Sequence, residues 1–510
     1  MNQRKFTMRV PFLLIVVALI AVAVILAMSP QTAQAASSNP QKMYRLYNSY
    51  TGEHFYTADE TEKNNCALAG WTYEGVGWYA PQTSSEPVYR LYNPYVTGGD
   101  LHYTTSKSEY DDLAKKGWRQ ENVGWYSEPS SESDRVEVYR QYNPYAKTGT
   151  HNFTKDKSEN NSLVNAGWKD EGTAWYAVNY SDTSSLYVGS FFVDKGGDPG
   201  YETVLCTSRD GVGFEKVSTP FTNSTNPYPL HDPSIMYKDG YYWMVSNWNQ
   251  QNGKFWPMFS YSKDLKTWTQ PEGKAMINGG KYNGISLESN PFGISNFDVV
   301  APEWFVDTNG STYIIFSAGY YGANHGEAEN DRMKVYAVKV SLTPGGFANW
   351  GWAHPAPSGM KVSVGTAFEI QGLDSSDNYI DSSVYKEGNN YYLITKKDGK
   401  VNQIYKNTSM TKNGWSRVNT NIALGNEGPC VVKDNNSYIM YTDKIDSYHG
   451  SNGMCFSIGS SLTGKFSEPR DLYCVDNKGN KIKLRHGTVI KVTGQAKTIA
   501  ESFRKSGGFK

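Results

Sequence analysis

One unit recurs through the second half of the chain, and it constrains the fold more than any other feature. In each unit a polar residue opens an apolar strand, a polar turn follows seven or eight residues later, and an aromatic strand returns. Asp-Gly and Asn-Gly turns between such runs are strong indications of β-hairpins. Four regular units and a fifth, less regular one begin at Asp232, Glu303, Asp381, Glu427 and His486.

Five such units within residues 185–500 predict an all-β domain, a five-bladed β-propeller. The innermost strand of each propeller blade lines the central axis, so residues at the same end of these strands meet in one funnel. We therefore expect the five opening residues to converge there, since they keep a similar offset from their turns.

A pocket holding several carboxylates has a chemical consequence. Mutual repulsion and partial burial raise the pKa of some of them, which allows acid and base roles to separate. Glycoside hydrolysis needs this separation, because one carboxylate acts as base or nucleophile and one carboxylic acid protonates the leaving oxygen. The alternative is that each acid only caps a blade through backbone hydrogen bonds; the full set of residues favours catalysis.

Five short motifs within residues 185–500 together resemble glycoside hydrolase family 43, the five-bladed arabinofuranosidases, xylosidases and endo-arabinanases. Each motif is weak alone, but their order and spacing match the family. The motifs are His231-Asp232-Pro233-Ser234-Ile235, Ala301-Pro302-Glu303, Ile380-Asp381-Ser382-Ser383, Glu427-Gly428-Pro429 and Arg485-His486-Gly487-Thr488-Val489.

The resemblance implies a role for each catalytic position. Asp232 would be the general base that activates water, and Glu427 the general acid. Asp381 would orient the acid and tune its pKa. The family inverts configuration, which implies a base and an acid ~6.5–9.5 Å apart with a water between them.

The same resemblance assigns substrate contacts. Glu303 is interpreted as substrate-binding, and Val300 stands where the family often has a tryptophan. Trp243, Trp304 and Phe297 are candidate platforms for a sugar ring, although core packing is an equal interpretation for Trp243.

His486 matches a histidine that faces a hydrated cation, often calcium, at the axis of many family members. A hydrogen-bonded structural histidine is the alternative. The resemblance implies no required cofactor, and a structural Ca²⁺ near the propeller axis is left open. It implies a substrate rich in arabinose or xylose from plant polysaccharides or oligosaccharides.

The N-terminal part contains three copies of a Tyr/Trp-rich repeat between about residues 43 and 177. Each copy is too small to bury a core alone, so we predict a pseudo-threefold, mainly β module, β-trefoil-like in arrangement. A linker at 178–184 leads to the larger domain. The copies resemble an uncharacterised repeat family of secreted Gram-positive proteins. Binding to a glycan or cell wall and simple core building are both open interpretations of the aromatics.

Composition and the N-terminus indicate export and exclude some partners. The chain has 50 basic and 50 acidic residues, and this balance argues against nucleic acid. Basic residues precede an apolar run at 11–27, and Ala33-Gln34-Ala35 offers a cleavage site, so residues 1–35 are predicted to be a signal peptide rather than a retained anchor. We expect a secreted monomer acting on carbohydrate.

Two other functions remain open at this point. One is a non-catalytic, glycan-binding surface protein, which the intact set of acids disfavours. The other is a retaining fructan hydrolase on the same architecture. Those enzymes usually carry Arg-Asp-Pro and Glu-Cys motifs, whereas here Gly211 follows Arg209-Asp210 and Gly428 follows Glu427.

Overall fold

The computed structural model of the protein describes most of the chain from residue 40 onward. The described ranges are 40–96, 100–146, 150–180, 184–194, 201–220, 230–249, 255–269, 281–282, 285–286, 298–319, 332–345, 359–397, 401–422, 426–446 and 450–509. The predicted signal peptide at 1–35 lies outside them. No helix within these ranges has the length and apolar character needed to span a membrane.

Each N-terminal repeat folds as two strands, a helix and a third strand, and the first strand lies in the middle of a three-stranded antiparallel sheet. The first copy comprises β1 (Gln41–Tyr47), β2 (His54–Thr57), α1 (Glu60–Leu68) and β3 (Thr72–Ala80). The second comprises β4 (Pro87–Tyr92), β5 (Leu101–Thr104), α2 (Lys107–Lys115) and β6 (Arg119–Tyr126). The third comprises β7 (Arg135–Tyr142), β8 (His151–Thr154), α3 (Lys157–Asn165) and β9 (Lys169–Val178).

The helices begin where a short polar side chain caps the first turn. Asp59, Ser106 and Asp156 each accept a hydrogen bond from a backbone N–H two or three residues later. Such caps satisfy N–H groups that have no partner within the helix. In the second copy, α2 begins at Lys107, directly after its cap Ser106.

Two layers of aromatic rings relate the three copies by an approximate threefold axis. The indole rings of Trp78, Trp125 and Trp175 are 5.5–5.9 Å apart, centroid to centroid. The second layer, formed by Tyr56, Tyr103 and Phe153, has separations of 5.6–5.8 Å. All six rings are buried. These aromatics therefore build the core that no single copy could form.

Ion pairs between copies reinforce this arrangement. Arg45 of the first copy pairs with Glu159 of the third at 2.7 Å, and Arg90 of the second pairs with Glu62 of the first at 3.0 Å. The histidines near these pairs are hydrogen-bonded: His54 lies 3.0 Å from Arg45, and His102 lies 3.0 Å from a carboxylate of its own copy. Both histidines therefore belong to the network of polar contacts that holds the repeats together.

In its described ranges, the larger domain is mostly β and ends in a helix. Its first strands are β10 (Leu186–Asp194), β11 (Tyr201–Ser208), β12 (Gly213–Ser218), β13 (Leu230–Lys238), β14 (Tyr241–Asn249), β15 (Phe255–Ser262), β16 (Lys281–Tyr282), β17 (Ile285–Ser286), β18 (Asp298–Val306), β19 (Thr312–Gly319), β20 (Lys334–Gly345) and β21 (Gly359–Val364). The others are β22 (Phe368–Glu369), β23 (Tyr379–Glu387), β24 (Asn390–Lys397), β25 (Val401–Asn407), β26 (Ser416–Ile422), β27 (Asn426–Asp434), β28 (Ser437–Asp446), β29 (Gly450–Gly459), β30 (Arg470–Asp471), β31 (Tyr473–Val475) and β32 (Arg485–Val492), followed by α4 (Gly494–Ser506).

Within the described ranges, these strands form five sheets of three to five strands and one two-stranded ribbon, β16–β17. The four predicted hairpins are confirmed as β13–β14, β18–β19, β23–β24 and β27–β28. The fifth unit differs from the prediction, because Gly494 begins a helix rather than a returning strand. Strand β32 pairs instead with β10, so the end of the chain completes the sheet begun by its first strands.

The first strand of each hairpin and β32 surround a common axis. Strand β13 contacts β18, β18 contacts β23, β23 contacts β27, β27 contacts β32, and β32 contacts β13 again. This cycle of five strands brings residues that are far apart in the sequence to one place. It positions the candidate site described below.

The first repeat packs directly on the larger domain. Tyr44, Phe55 and Tyr73 share one buried hydrophobic cluster with Tyr187 and Ile439. Within this contact the ammonium of the buried Lys63 donates a hydrogen bond to Ser437 at 3.1 Å and lies 4.7 Å from the centre of the Tyr44 ring. The first repeat and the larger domain therefore share a continuous core.

All five cysteines are present as thiols, and four of them are buried. The sulfur atoms of Cys206 and Cys474 lie 3.9 Å apart, between β11 and β31 of one sheet. Neither residue belongs to a CxxC motif.

Candidate active site

A β-bulge recurs near the start of each of the four hairpins. The pairing register shifts between His231 and Ser234, Val300 and Glu303, Ile380 and Ser383, and Glu427 and Cys430. One residue within each bulge has a positive φ: Asp232 (47°), Ala301 (45°), Asp381 (53°) and Gly428 (61°). Bulges redirect side chains, and strained backbone of this kind occurs at functional sites.

The bulges show that the five opening residues do not occupy equivalent positions, which corrects the expectation of a shared offset. Asp232 and Asp381 stand on the bulge itself. Glu427 lies one residue before its bulge, and Glu303 lies two residues after the position equivalent to Asp232. A displacement by one residue turns a strand side chain to the other face, and only the bulge geometry reveals it.

Asp232 lies between a histidine and an amide. His486 Nδ1 is 3.0 Å from Asp232 Oδ1, and Asn247 Nδ2 donates to Asp232 Oδ2 at 3.0 Å. Burial alone would raise the pKa of Asp232, but the charge and hydrogen bond of His486 outweigh burial and hold the pKa below its ordinary value. Asp232 is therefore a carboxylate at neutral pH.

The pKa of Glu427 is shifted in the opposite direction from that of Asp232. Burial, and next the charge of Asp381, raise its pKa to about 7, although Lys396 and His486 oppose the shift. Lys396 Nζ donates to Glu427 Oε2 at 2.9 Å. Because its pKa lies near neutrality, Glu427 can hold and release a proton at ordinary pH.

Asp381 connects the other groups. Its Oδ2 accepts a hydrogen bond from the backbone N–H of Gly428 at 3.3 Å, directly after Glu427. Burial raises the pKa of Asp381 even though His486 and Lys396 oppose the shift. Asp381 thus holds the backbone that carries Glu427 and contributes negative charge beside it.

His486 demonstrates the convergence of these residues. Burial would lower its pKa, but Asp232, Asp381 and Glu427 together raise the pKa to about 10. The four predicted residues 232, 381, 427 and 486 therefore share one electrostatic environment. The imidazolium form donates protons from both nitrogens and has no lone pair for a metal.

The larger domain matches a family model described as a probable glycosyl hydrolase domain, related to glycoside hydrolase family 43, over residues 232–497. This range covers slightly more than half of the 510 residues. The chain belongs to this glycosyl hydrolase 43-related family. Residues 42–178 match a domain of unknown function, DUF5648.

Solved structures of three carbohydrate-active enzymes are similar to this hydrolase at low identity. An exo-β-1,3-galactanase from Phanerochaete chrysosporium is 15% identical, with 51% of this chain and 53% of that chain covered and a TM-score of 0.35. The α-L-arabinanase of Cellvibrio cellulosa is 11% identical, with 56% and 92% covered and a TM-score of 0.35.

A β-xylosidase/α-arabinofuranosidase from a compost metagenome is 13% identical, with 57% and 92% covered and a TM-score of 0.37. The chain spans about half the length of the first galactanase structures that it matches. Among curated proteins, no sequence matches the chain.

Glu303 does not line the site of the hydrolase as a substrate contact would. Its carboxylate is 5% exposed and accepts hydrogen bonds from Ser234 at 2.6 Å and from Thr488 at 2.6–2.8 Å. Burial raises its pKa to about 7. The structure therefore favours a buried structural role, because both of its oxygens are already engaged by neighbouring inner strands.

The candidate sugar platforms are also placed inside the core. Trp243 and Trp304 are 1% and 7% exposed and belong to one hydrophobic cluster with Phe259. An aromatic platform must expose a ring face, so both tryptophans are better explained by core packing. Phe297 lies outside the described residues.

The prediction of a hydrated cation beside His486 stays a prediction for the described residues. They contain no group of three or more His, Cys, Asp or Glu side chains that could hold a metal ion. The imidazole also directs Nδ1 to Asp232, and its pKa of about 10 favours the cationic form. Nearby positive charge disfavours a directly bound cation.

Residues on the second strand of three of the four hairpins contact the predicted site residues, and the sequence interpretation missed them. Asn247, Lys396 and Asp443 pair with His231, Ile380 and Glu427, each next to a bulge. Asp443 accepts hydrogen bonds from the backbone N–H of His486 and from Arg485. A repeated pattern could have identified the three: each follows a Ser or Thr and interrupts an apolar returning strand.

A cavity of about 470 Å³ lies farther along the same axis, on the turn side of Glu303. Ile235, Trp304, Ser383 and Thr488 are among its lining residues, whereas Asp232, Asp381 and Glu427 are not. The three predicted catalytic residues therefore lie toward the opposite end of the inner strands, where the bulges occur.

Proposed function

We propose that the protein is a secreted, inverting glycoside hydrolase that acts on arabinose- or xylose-containing plant polysaccharides or oligosaccharides. Membership of the glycosyl hydrolase 43-related family supports the reaction class. The choice of sugar rests on the resemblance of the sequence motifs to arabinofuranosidases and xylosidases.

The observation that carries the proposal is the opposite pKa shift of two acids that both interact with His486. The pKa of Asp232 is held below its ordinary value, and the pKa of Glu427 is raised to about 7. Titratable groups whose environments separate their pKa values are the mark of an acid–base pair. Asp232 is accordingly the base and Glu427 the acid.

In the reaction, Asp232 accepts a proton from a water molecule as the water oxygen bonds to the anomeric carbon. The bond between that carbon and the leaving oxygen breaks, and Glu427 gives its proton to the leaving oxygen. Attack from the face opposite the leaving group inverts configuration. The water proton on Asp232 is then returned through solvent, and Glu427 takes a new proton.

Three other residues prepare this chemistry. His486 keeps Asp232 ionised and oriented through its 3.0 Å contact. Asp381 raises the pKa of Glu427 by its charge and holds the backbone of Gly428. Lys396 donates to Glu427 and limits the rise in its pKa. They act as positioning residues, since each works through Asp232 or Glu427.

The architecture we propose is a five-bladed β-propeller preceded by a pseudo-threefold repeat module. The cycle of contacts through β13, β18, β23, β27 and β32 supports five blades. The two aromatic layers support the threefold relation of the repeats. The β-trefoil-like arrangement and export by a cleaved signal peptide stay predictions.

The test is hydrolysis by the full chain. Arabinan, arabinoxylan, xylan and galactan are screened for released reducing sugar, and 4-nitrophenyl arabinofuranoside and xyloside for 4-nitrophenol. Asp232→Asn should abolish activity on all substrates. Glu427→Gln should lose less on the nitrophenyl glycosides, because 4-nitrophenolate leaves without protonation.

A matched substitution of a distant surface acid, Asp239→Asn, should leave every rate unchanged. Asp239 is exposed on the turn between β13 and β14. Equal activity of wild type and Asp232→Asn on the polysaccharides would overturn the proposal. Release from galactan alone would overturn the choice of arabinose or xylose while leaving the acid–base assignment in place.

A further inference from the structure

Three exposed tyrosines occupy the same position in the three repeats. Tyr50, Tyr95 and Tyr145 are 93%, 73% and 80% exposed, and they account for three of the seven exposed large hydrophobic residues in the described ranges. Each follows an asparagine by two residues. Single exposed apolar residues are ordinary on protein surfaces, but repetition at one site of every copy is not explained by chance exposure.

The backbone holds each tyrosine in the same way. The N–H of Tyr50, Tyr95 and Tyr145 donates to the side-chain oxygen of Asn48, Asn93 and Asn143 respectively, at 3.0–3.1 Å. An asparagine turn of this type fixes the local chain without a helix or a sheet. The ring is thus presented from a rigid turn, which reduces the entropy lost when a ligand binds.

In the second and third copies a glycine supports the ring as well. A Cβ atom on Gly117 would lie 2.2–2.9 Å from the Tyr95 ring and hydroxyl, and one on Gly167 would lie 3.4–3.5 Å from Tyr145. Both glycines have positive φ and follow the helices α2 and α3. The absence of a side chain at Gly117 therefore lets the Tyr95 ring lie against the backbone, while Tyr145 lies at ordinary contact distance from the position of a Cβ on Gly167.

The first copy lacks this support and has a different contact. No atom lies within 4 Å of a Cβ built on Gly70, the equivalent glycine. The carbonyl of Gly70 instead accepts a hydrogen bond from Arg470 of the larger domain. Trp71, next to it, packs against the hydrophobic cluster shared by the two domains. The first copy is thus the docking copy.

We propose that Tyr95 and Tyr145 form two stacking subsites for a neutral polysaccharide, while the first repeat fixes the module to the catalytic domain. A single phenol ring offers an apolar face and one hydroxyl, which suit the C–H face and hydroxyls of a sugar. Recognition of a cationic group commonly uses a cage of several rings, whereas Tyr95 and Tyr145 are 73% and 80% exposed and so are not enclosed by other described side chains. The choice of polymer rests on the proposed function.

Two linked subsites bind one polymer more tightly than either alone. After the first sugar is held, the second binding event occurs at a high effective concentration. Because the first repeat is packed on the larger domain, both subsites stay fixed relative to the catalytic residues. The module would retain the enzyme on its substrate without taking part in bond cleavage.

The test measures depletion of the full chain by insoluble arabinoxylan and by arabinan, in a Glu427→Gln background that leaves the polymer intact. Tyr95→Ala and Tyr145→Ala should each weaken binding about tenfold, and the double variant should abolish it. Tyr473→Ala, which removes a half-exposed tyrosine from the larger domain, and Tyr50→Ala are the matched controls and should bind as the parent does.

Unchanged binding by the double variant would overturn the proposal. Binding that is lost on addition of salt would also overturn it, because salt weakens ionic contacts and not the stacking of a ring on a neutral sugar. Failure of the parent to bind either polysaccharide would also overturn it. Hydrolysis of a nitrophenyl glycoside by the Tyr95→Ala, Tyr145→Ala double variant with Glu427 intact should equal wild type. That assay separates failure of binding from failure of the proposed catalysis.

Discussion

His486 Nδ1 lies 3.0 Å from Asp232 Oδ1, which joins the last strand of the central cycle to the first. The contact depends on closure of the domain, because β32 at the end of the chain pairs with β10 near its beginning. Ring closure and the charge state of Asp232 are thus coupled. The electrostatic environment of Asp232 therefore exists only in the completed fold.

The rate should depend on pH in a bell shape set by the two acids. The ionised form of Asp232 and the protonated form of Glu427 are required, so kcat/KM should fall as pH rises through about 7, the pKa of Glu427. The acidic limb should lie below the ordinary pKa of an aspartate, since that of Asp232 is lowered. A pH profile on a polysaccharide substrate checks both limbs. A profile that stays flat up to pH 9 would contradict the assignment of Glu427.

Lys396→Met should move the alkaline limb to higher pH. The ammonium of Lys396 lowers the pKa of Glu427 and donates to it at 2.9 Å, so its removal raises that pKa further. A change in kcat without a shift of the limb would indicate a purely structural role. Lys406→Met is the control, since Lys406 lies on the neighbouring strand β25, and its profile should match wild type.

Gly428→Ala should reduce kcat/KM by about 100-fold or more, because small displacements of catalytic groups have such effects. A Cβ atom at this position would lie 2.4–2.7 Å from the imidazole of His486. Gly388→Ala is the matched control, with a similar φ of 56° and no atom within 4 Å. Both variants should lose about 1–2 kcal/mol of stability from the backbone alone, but Gly388→Ala should retain activity. If Gly428→Ala and Gly388→Ala are equally active, the close approach of Gly428 to His486 plays no part in catalysis.

Glu303→Gln should make the stability of the protein less sensitive to rising pH. Burial raises the pKa of Glu303 from 4.5 to about 7, so between these values the folded protein holds a proton that the unfolded chain has released. The free energy of unfolding therefore falls as pH rises through this range, by up to about 3 kcal/mol. The Tm of wild type should decrease relative to that of Glu303→Gln between pH 5 and 8. Parallel Tm curves would show that Glu303 is not buried as described.

Much of the fold was predictable because hairpins are local. The turn at Asp239-Gly240 and the flanking aromatic strands specify β13–β14 within a short stretch of sequence. The pairing of β32 with β10 was not predictable in the same way, since it joins strands from opposite ends of the domain. By analogy with the four regular units, the fifth, less regular unit would have a returning strand near Gly494, where a helix begins instead.

The site was predictable in its residue types and less so in its geometry. The convergence of Asp232, Asp381 and Glu427 follows from their places on the inner strands. The burial of Glu303 could not be predicted in this way. Its distance from the following turn resembles that of the three catalytic candidates, and only its position relative to the bulge distinguishes it from them. Lys396 was missed because a lysine in a returning strand resembles a residue at a solvated edge.

The most direct test of the account is the configuration of the first product. Proton NMR of the anomeric signals during hydrolysis of a xylan or arabinan oligosaccharide distinguishes the two stereochemical outcomes before mutarotation. The account predicts inversion, with no reaction by Asp232→Asn, because Asp232 activates water rather than bonding to the sugar. Retention of configuration would contradict it, since a covalent intermediate would then require a nucleophile in place of the base.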